Sequence, residues 1–338
     1  MEDQGRAAAV TEPTNPSRGW IVSPAFDLLF LANVAWPLLL LPAVSSPADT
    51  AIDFWQIYFV TLPHRWVTLL LVATDPDRRG TRGPWLVGIA VLAALAVTGA
   101  YLGTGAFLCL ALVDYVWNAW HFAAQHAGVL RIYTRNVGGG VPWLERWGLR
   151  AFVTYGALRA AGWLTGALEA DERQLAALRA LDLAVLAIPA ALLLTNLPGL
   201  SAARVGKLAH LVSVCALYSG FILSLSFGWA RGVVAFAAAG SLFHAVEYLA
   251  VVTHYAHRRE TVGSASAFRA LARNWVLFLG AYVLVLGSFG AWASTPESGL
   301  LVLWQGLNLW AAFVHYAYDG MIWKLRKPET AAALGVHP

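Results

Sequence analysis

Charged residues are scarce in this chain. They make up 12% of its 338 residues, whereas 59% of the residues are hydrophobic. A soluble protein carries about twice that charged fraction. Apolar runs of about 20 residues, long enough to cross a bilayer, recur along almost the whole length. The shortage of charge therefore argues against an ordinary soluble domain and predicts an all-α, polytopic integral membrane protein.

Cysteine is nearly absent as well. Cys109 and Cys215 both lie in apolar segments and form no CxxC pair, which excludes a disulfide framework and a thiolate zinc site. No basic run is interleaved with aromatic residues on a polar face, so the net charge of +4 does not indicate a nucleic-acid partner. The first apolar run is too long for a signal peptide and carries Asp27.

The apolar runs predict about ten membrane spans in one helical domain. Their approximate ranges are 22–44, 54–74, 84–102, 105–131, 150–168, 179–197, 207–228, 232–257, 273–293 and 298–324. The predicted regions are a disordered cytoplasmic N-terminus at 1–20, a single transmembrane domain at 21–326 and a cytoplasmic tail at 327–338.

Lys and Arg outside these spans are concentrated on alternate loops. One side of the membrane receives only Arg173, Arg179 and Arg231, and all the others fall on the opposite side. Because loops rich in Lys and Arg stay in the cytoplasm, both termini are predicted to be cytoplasmic, with an even number of spans in the inner (plasma) membrane. An error of one span would destroy this separation.

Polar and ionisable residues lie inside four of the apolar spans, the second, fourth, eighth and tenth. A helix turns by about 100° per residue, so residues three, four or seven apart share a face. The polar residues follow this spacing, and they lie at a similar depth, in the cytoplasmic half or near the middle of their spans. Ionisable residues inside a bilayer are costly and usually face the bundle interior, where they mark a functional site.

A bound cation would offset the cost of burying these groups. A single membrane histidine is most often a hydrogen-bond partner between helices, but here several histidines accompany two carboxylates that would be expensive to bury unpaired. Imidazole with carboxylate suits iron, zinc or manganese. We predict one or two non-haem iron ions, ahead of zinc or haem. The predicted ligands are His64, His121, His244, Glu247, His254, His315 and Asp319.

Further residues are predicted to support these ligands. His126 and His257 are possible additional ligands, although His126 lies about 140° around its helix from His121. Polar side chains next to metal-binding histidines often orient the ring nitrogens. The residues predicted to do so are Asp114, Asn118, Gln125 and Asn308.

Histidines placed near the cytoplasmic ends of several spans resemble those of integral-membrane desaturases and hydroxylases. Their dispersal as single residues looks more like the bacteriorhodopsin-related-protein (Brp/Blh) type β-carotene dioxygenases. The spacings here are H-x4-H at His121/His126 and H-x9-H-x2-H at His244/His254/His257, without an HxxHH box. The resemblance implies a membrane-embedded non-haem iron oxidoreductase acting on a lipid-soluble substrate. A desaturase-type reaction would need a separate reductase, and a polyene-cleaving dioxygenase would not.

Other functions stay open at the level of sequence. The chain fits a non-enzymatic membrane protein that binds metal or haem, or polar packing without a ligand. It also fits an ion or proton transporter. Helices interrupted near the midplane are typical of transporters, and only Pro63 and Pro189 hint at such interruptions. Nothing in the sequence distinguishes a fatty acyl, sterol, carotenoid or quinone substrate.

Overall fold

The computed structural model describes residues 19–45, 55, 57–162, 171–261 and 265–336, and every regular element in them is a helix. The predicted all-α fold is therefore confirmed for this part of the chain, and the predicted disorder of residues 1–18 lies outside it. The α-helices in chain order are α1 (Pro24–Phe26), α2 (Leu41–Ser45), α3 (Leu62–Thr74), α4 (Pro76–Arg79), α5 (Gly83–Thr104), α6 (Leu108–Val137), α7 (Leu149–Ala160), α8 (Glu172–Val185), α9 (Ala187–Asn196), α10 (Val205–Ser226), α11 (Ala230–Thr261), α12 (Ala267–Ala272), α13 (Trp275–Ala293), α14 (Leu301–Ile322) and α15 (Pro328–Ala333).

Short helical turns of other types connect or extend these helices. Single π-helical turns are frequent at functional sites, and one of them leads directly into α3. The π-helical turns are Asp27–Leu31, Ile57–Thr61 and Leu144–Gly148, and the 3-10 turns are Trp36–Leu40, Gly80–Arg82, Ala202–Arg204 and Pro296–Ser298.

Seven helical segments of the described residues are long and apolar enough to cross a membrane. They are Pro24–Ser45, Ile57–Thr74, Pro76–Thr104, Glu172–Asn196, Ala202–Ser226, Ala230–Arg259 and Trp275–Ala293. The three other predicted spans correspond to α6, α7 and α14. α7 has only 12 residues, and polar side chains lower the mean hydropathy of α6 and α14. The count of ten spans stays a prediction.

α11 is the longest helix of the described part and lies at the centre of the bundle. It contacts α3, α6, α10 and α13, together with the 3-10 turn before α2. Ala235 and Ala239 in its first half are fully buried, and such small side chains let membrane helices approach closely. The middle of α11 carries His244 and Glu247, so this packing holds the polar residues against their neighbours.

The C-terminal ends of α3, α6, α11 and α14 lie at one end of the bundle. Arg259 near the end of α11 pairs with Asp75 just after α3, with Nη2 2.9 Å from Oδ1. Arg135 near the end of α6 donates a hydrogen bond of 2.8 Å to the carbonyl of Leu325, just after α14. The alternation of basic loops had predicted this common end, which is called the Arg259 end below.

The C-terminal segment packs against the Arg259 end. Ala331 and Leu334 are buried in one apolar cluster with Ile132 of α6. The segment as far as residue 336 therefore packs on the bundle, and its assignment as a cytoplasmic tail at 327–338 stays a prediction. The segment packs there because α15 carries an apolar face, and residues 337 and 338 lie outside the described part.

Candidate metal centre

Four histidines from four helices meet in the interior of the bundle. α3 supplies His64, α6 supplies His121, α11 supplies His244 and α14 supplies His315. The ring centroids are 4.7 Å apart for His121–His315, 4.8 Å for His121–His244, 4.9 Å for His64–His315 and 5.0 Å for His64–His244. Each ring thus contacts two others, and together they form what is called the histidine cluster.

The ring nitrogens of the histidine cluster are buried and unsatisfied. His64, His244 and His315 are at most 1% exposed, and Nε2 of all four histidines has no hydrogen-bond partner among the described residues. A buried polar atom without a partner costs about 1–3 kcal/mol. Ligand atoms of His64, His244 and His315 lie within 4.8 Å of one another. Nitrogens that share one ion at about 2.1 Å each lie at most about 4.2 Å apart, so this spacing fits one ion after a small inward movement.

Two of the histidines are oriented through their second nitrogen. His64 Nδ1 donates a hydrogen bond to the carbonyl of Thr61, in the π-helical turn before α3. His315 Nδ1 lies 2.7 Å from Thr68 Oγ1. In His64 the proton is therefore on Nδ1 and the lone pair is on Nε2, and metal-ligating histidines are usually fixed by a contact of this kind.

Asp319 adds a carboxylate to one edge of the histidine cluster. Its Oδ2 lies 3.8 Å from His121 Nε2 and 3.7 Å from His315 Nε2. Its other oxygen, Oδ1, accepts a hydrogen bond of 2.9 Å from the hydroxyl of Tyr248. One oxygen is thus anchored while the other faces the unsatisfied nitrogens, so Asp319 provides a fifth donor.

Glu247 lies in a second, separate cluster. Its Oε1 is 2.7 Å from His210 Nε2, and its Oε2 is 3.0 Å from His126 Nδ1. The amide of Gln125 donates 2.8 Å hydrogen bonds to Glu247 Oε2 and to the carbonyl of His244. We call His126, His210 and Glu247 the glutamate cluster. All three are fully buried, and their ligand atoms also lie within 4.8 Å of one another.

The structure thus separates Glu247 from the other predicted ligands. Glu247 is three residues after His244, which turns it about 60° around α11. That rotation directs Glu247 toward α10, where His210 lies, instead of toward α14. Both of its carboxylate oxygens already have partners, so Glu247 is not placed to bridge ions in the histidine cluster.

His254 and His257 are not brought to either cluster. They follow His244 by ten and thirteen residues, which is about 15 and 20 Å along the helix axis. Both line a smaller cavity with Arg273 and Trp275. Their predicted grouping with His244 reflected a shared helix face, but residues on one face can lie at different depths.

Only some of the residues predicted to orient ligands contact the two clusters. Asp114 and Asn118 both accept 2.9 Å hydrogen bonds from the hydroxyl of Tyr316. The ring of Tyr316 lies 4.8 Å from that of His121. Asp114 and Asn118 therefore position Tyr316 and not a histidine nitrogen. Gln125 does reach the site, through the backbone of His244 and the carboxylate of Glu247.

Asn308 has no contact with the histidine cluster in the described residues. Its Oδ1 accepts a hydrogen bond of 3.4 Å from the indole of Trp66, and its Nδ2 donates one of 2.9 Å to the carbonyl of Trp304. Asn308 lies seven residues before His315, about 10 Å along α14, so it fixes an aromatic contact at another level of the bundle.

Sequence reasoning missed three residues of the site. His210 belongs to a largely apolar helix, and only its depth on the predicted cytoplasmic side could have indicated it. Thr68 shares a helix face with His64, a signal that was present. Tyr248 lies four residues after His244, so the same spacing rule places it on the His244 side of α11, and this signal was also present.

A cavity of about 830 Å³ reaches the histidine cluster from outside. Its inner end is lined by His121, Tyr248, Tyr316 and Asp319. His64 and His244 are not part of its wall, so one edge of the cluster is accessible while the other side is packed. A small molecule in the cavity would meet His121 and Asp319 first.

No family model, no curated protein and no solved structure matches this chain. Its function is therefore inferred from the residues of the site.

Proposed function

We propose that this chain is a membrane-embedded non-haem iron oxidoreductase that acts on a lipid-soluble substrate. The observation that carries the proposal is the set of four buried Nε2 atoms without partners in the histidine cluster. Asp319 Oδ2 faces two of them. An arrangement of converging donors that lack hydrogen-bond partners is destabilising without a cation and becomes favourable with one.

The donor set favours iron over the alternatives. The donors form two groups that share His315, namely His64/His244/His315 and His121/His315/Asp319. Together they exceed the four ligands of one tetrahedral zinc site, whereas imidazole with carboxylate suits iron. The four rings contact one another at centroid distances of 4.7–5.0 Å, which leaves no room for a porphyrin between facing histidines. Transport is disfavoured because α6, α11 and α14 run without interruption through the site, while transporter sites use broken helices.

The residues of the chain would each contribute a defined part. The carbonyl of Thr61 holds the ring proton of His64 on Nδ1, and the hydroxyl of Thr68 orients His315 through Nδ1. Tyr248 holds Asp319, which brings negative charge to a site of low dielectric. Iron bound there would supply the activation of oxygen.

Water is excluded from the packed side of the histidine cluster. The ring of Phe122 stacks on that of His244 with centroids 4.0 Å apart. A lipid-soluble substrate in the cavity would lie against the opposite edge, next to His121 and Asp319. The chain therefore separates the face that holds the metal from the face that receives the substrate.

Metal analysis of protein purified in detergent tests this function. We expect about one equivalent of iron per chain in the wild type after iron loading, and less than half of that in His64→Ala, His121→Ala, His244→Ala and His315→Ala. His254→Ala is the matched control, since it removes a histidine of α11 about 15 Å from the site, and it should retain iron.

Two results would contradict the proposal. One is wild-type protein that binds no iron after loading. The other is full iron content in His244→Ala and His315→Ala, each recovered as monodisperse protein. Stoichiometric zinc that iron cannot replace would favour a non-enzymatic metal protein.

We also propose ten membrane crossings, with both termini on the cytoplasmic side of the inner (plasma) membrane. The alternation of basic loops supports this orientation. The contacts at the Arg259 end support it as well, because they join the ends of four helices whose following loops are all basic. The polar faces that lower the hydropathy of α6 and α14 point into the bundle, so these helices can still be membrane-spanning.

A further inference from the structure

The cavity beside the histidine cluster has a strongly basic outer end. Among its lining residues, the acidic side chains are Glu145 and Asp319, of which Asp319 lies at the inner end. Five basic side chains line the rest, and three of them are exposed. We call these five the mouth of the cavity. They are Arg131, Arg146, Arg150, Lys324 and Arg326.

Glu145 does not neutralise the mouth. Its Oε1 lies 2.7 Å from Lys207 Nζ, and its Oε2 accepts a 2.7 Å hydrogen bond from Thr134. Lys207 also donates to the carbonyls of Gly138 and Gly139, at 3.2 and 2.8 Å. The only acid near the mouth is therefore already paired within the described residues, and the positive charge of the mouth is in excess.

Arg150 is the best-placed cation of the mouth. Its guanidinium lies 5.4 Å from the ring centre of Trp120 and 5.3 Å from that of Trp147. Its Nε is buried without a hydrogen-bond partner among the described residues. A guanidinium held on aromatic rings with a free donor is well suited to bind a carboxylate or phosphate.

The wall between the mouth and the histidine cluster is largely apolar. Ala124, Ala127 and Gly128 line it from α6, and Val251 lines it from α11. His121 and Arg131 are ten residues apart on α6, which places Arg131 about 15 Å from His121 along the helix axis, while Arg150 lies nearer to His121, against Trp120. A molecule that fills this space needs an apolar chain and one charged end.

We propose that the cavity binds a single-chain amphiphile whose anionic head group pairs with Arg150 and Arg131 and whose apolar chain extends to His121 and Asp319. This identifies the substrate class and rests on the proposed function. It favours an acid of the fatty-acid type over the neutral alternatives of sterol, carotenoid and quinone. The volume of about 830 Å³ lies within the range of sites that enclose one small ligand.

Binding of palmitate and hexadecanol, which share a chain length and differ in charge, tests this proposal. Iron-loaded protein in nanodiscs of zwitterionic phospholipid would be measured against empty nanodiscs at about pH 8, where the carboxylic acid is ionised. We expect palmitate to bind at least about tenfold more tightly than hexadecanol, the factor expected for one charge-assisted hydrogen bond.

Arg150→Gln and Arg131→Gln should each reduce this preference. Arg131 is exposed, so its variant should fold normally. Arg179→Gln, which removes an exposed arginine of α8, should not change it.

The location of the bound chain gives a second readout. A palmitate analogue with a photoreactive group at its far end should label peptides that contain Trp117 or Tyr316. Labelling confined to the exposed faces of α5 and α13 would overturn the proposal, and so would equal affinity for palmitate and hexadecanol.

A third arm separates the substrate from bilayer head groups. If the preference for palmitate disappears in nanodiscs that contain phosphatidylglycerol, the mouth binds phospholipid and the proposal is wrong. Iron content is measured on the same samples. Loss of the palmitate preference with iron retained contradicts the substrate class alone, whereas absence of iron contradicts the proposed function.

Discussion

Thr68 is the small residue on which the orientation of the histidine cluster depends. Its hydroxyl is fully buried and lies 2.7 Å from His315 Nδ1, 2.6 Å from the hydroxyl of Tyr248 and 3.5 Å from Asp319 Oδ1. One hydroxyl therefore links an imidazole and a carboxylate donor of the same site. Such outer partners set the direction and basicity of the ligand they contact.

Replacing Thr68 by Val should weaken metal binding without preventing it. Valine keeps the shape but leaves His315 Nδ1 buried without a partner, and loss of an outer partner typically costs about 10–100-fold in metal affinity. Competition with a soluble chelator measures this change. Thr253→Val is the control. Thr253 lies elsewhere on α11 and accepts a hydrogen bond from Trp275 of α13. Wild-type affinity in Thr68→Val would show that His315 is oriented by packing alone.

At the scale of elements, a charged clamp joins the end of α11 to the start of α4. Arg259 donates from Nε to Asp75 Oδ2 at 3.0 Å and from Nη2 to Oδ1 at 2.9 Å. Tyr255 donates to Oδ2 at 2.6 Å, and Asp75 is fully buried. The clamp fixes α3 against α11, the two helices that carry His64 and His244.

Acid should weaken this clamp. Burial raises the pKa of Asp75, but hydrogen bonds from Arg259 and Tyr255 outweigh burial and hold the pKa below its ordinary value of 3.8. Because the folded pKa is lower than the unfolded one, the stabilisation is complete above pH 3.8 and is lost as the pH falls through the folded pKa.

The variant Asp75→Asn tests the pH dependence. At neutral pH it should lower the thermal unfolding midpoint, since breaking a buried ion pair costs about 3–5 kcal/mol. Between about pH 4 and pH 2, where Asp75 takes up its proton, its midpoint should fall less steeply than that of the wild type. Glu297→Gln, which changes an exposed carboxylate, should keep the wild-type slope. Parallel slopes in Asp75→Asn and wild type would contradict this assignment.

At the scale of the whole molecule, the proposed orientation predicts which loops are accessible from each side of the membrane. In a background with Cys109 and Cys215 replaced by Ser, Arg79→Cys should react with a membrane-impermeant maleimide only after cells are opened. Arg173→Cys should react in intact cells, because its loop lies on the opposite side under the positive-inside rule. Labelling of both positions from the same side would refute the proposed topology.

Helical spacing predicted which helices meet, but it did not predict which polar residues belong to the histidine cluster and which to the glutamate cluster. His64, His121, His244 and His315 share a level and a direction, so sequence reasoning could group them. The separation of Glu247 from His244 depends on a rotation of about 60° and on what the neighbouring helix offers at that angle. Similarly, the spacing of His254 gives its direction but not its depth, and the π-helical turn before His64 has no periodic signal.

The positions of the four histidines along the chain determine when the histidine cluster can form during synthesis. A nascent chain completed through α11 contains three of the four imidazoles but lacks His315, Asp319 and the ring of Tyr316. The basic residues Lys324 and Arg326 come later still. The histidine cluster and the cavity mouth are therefore among the last features that biogenesis can complete, and any truncation before α14 removes part of the cluster while leaving most of the apolar helices.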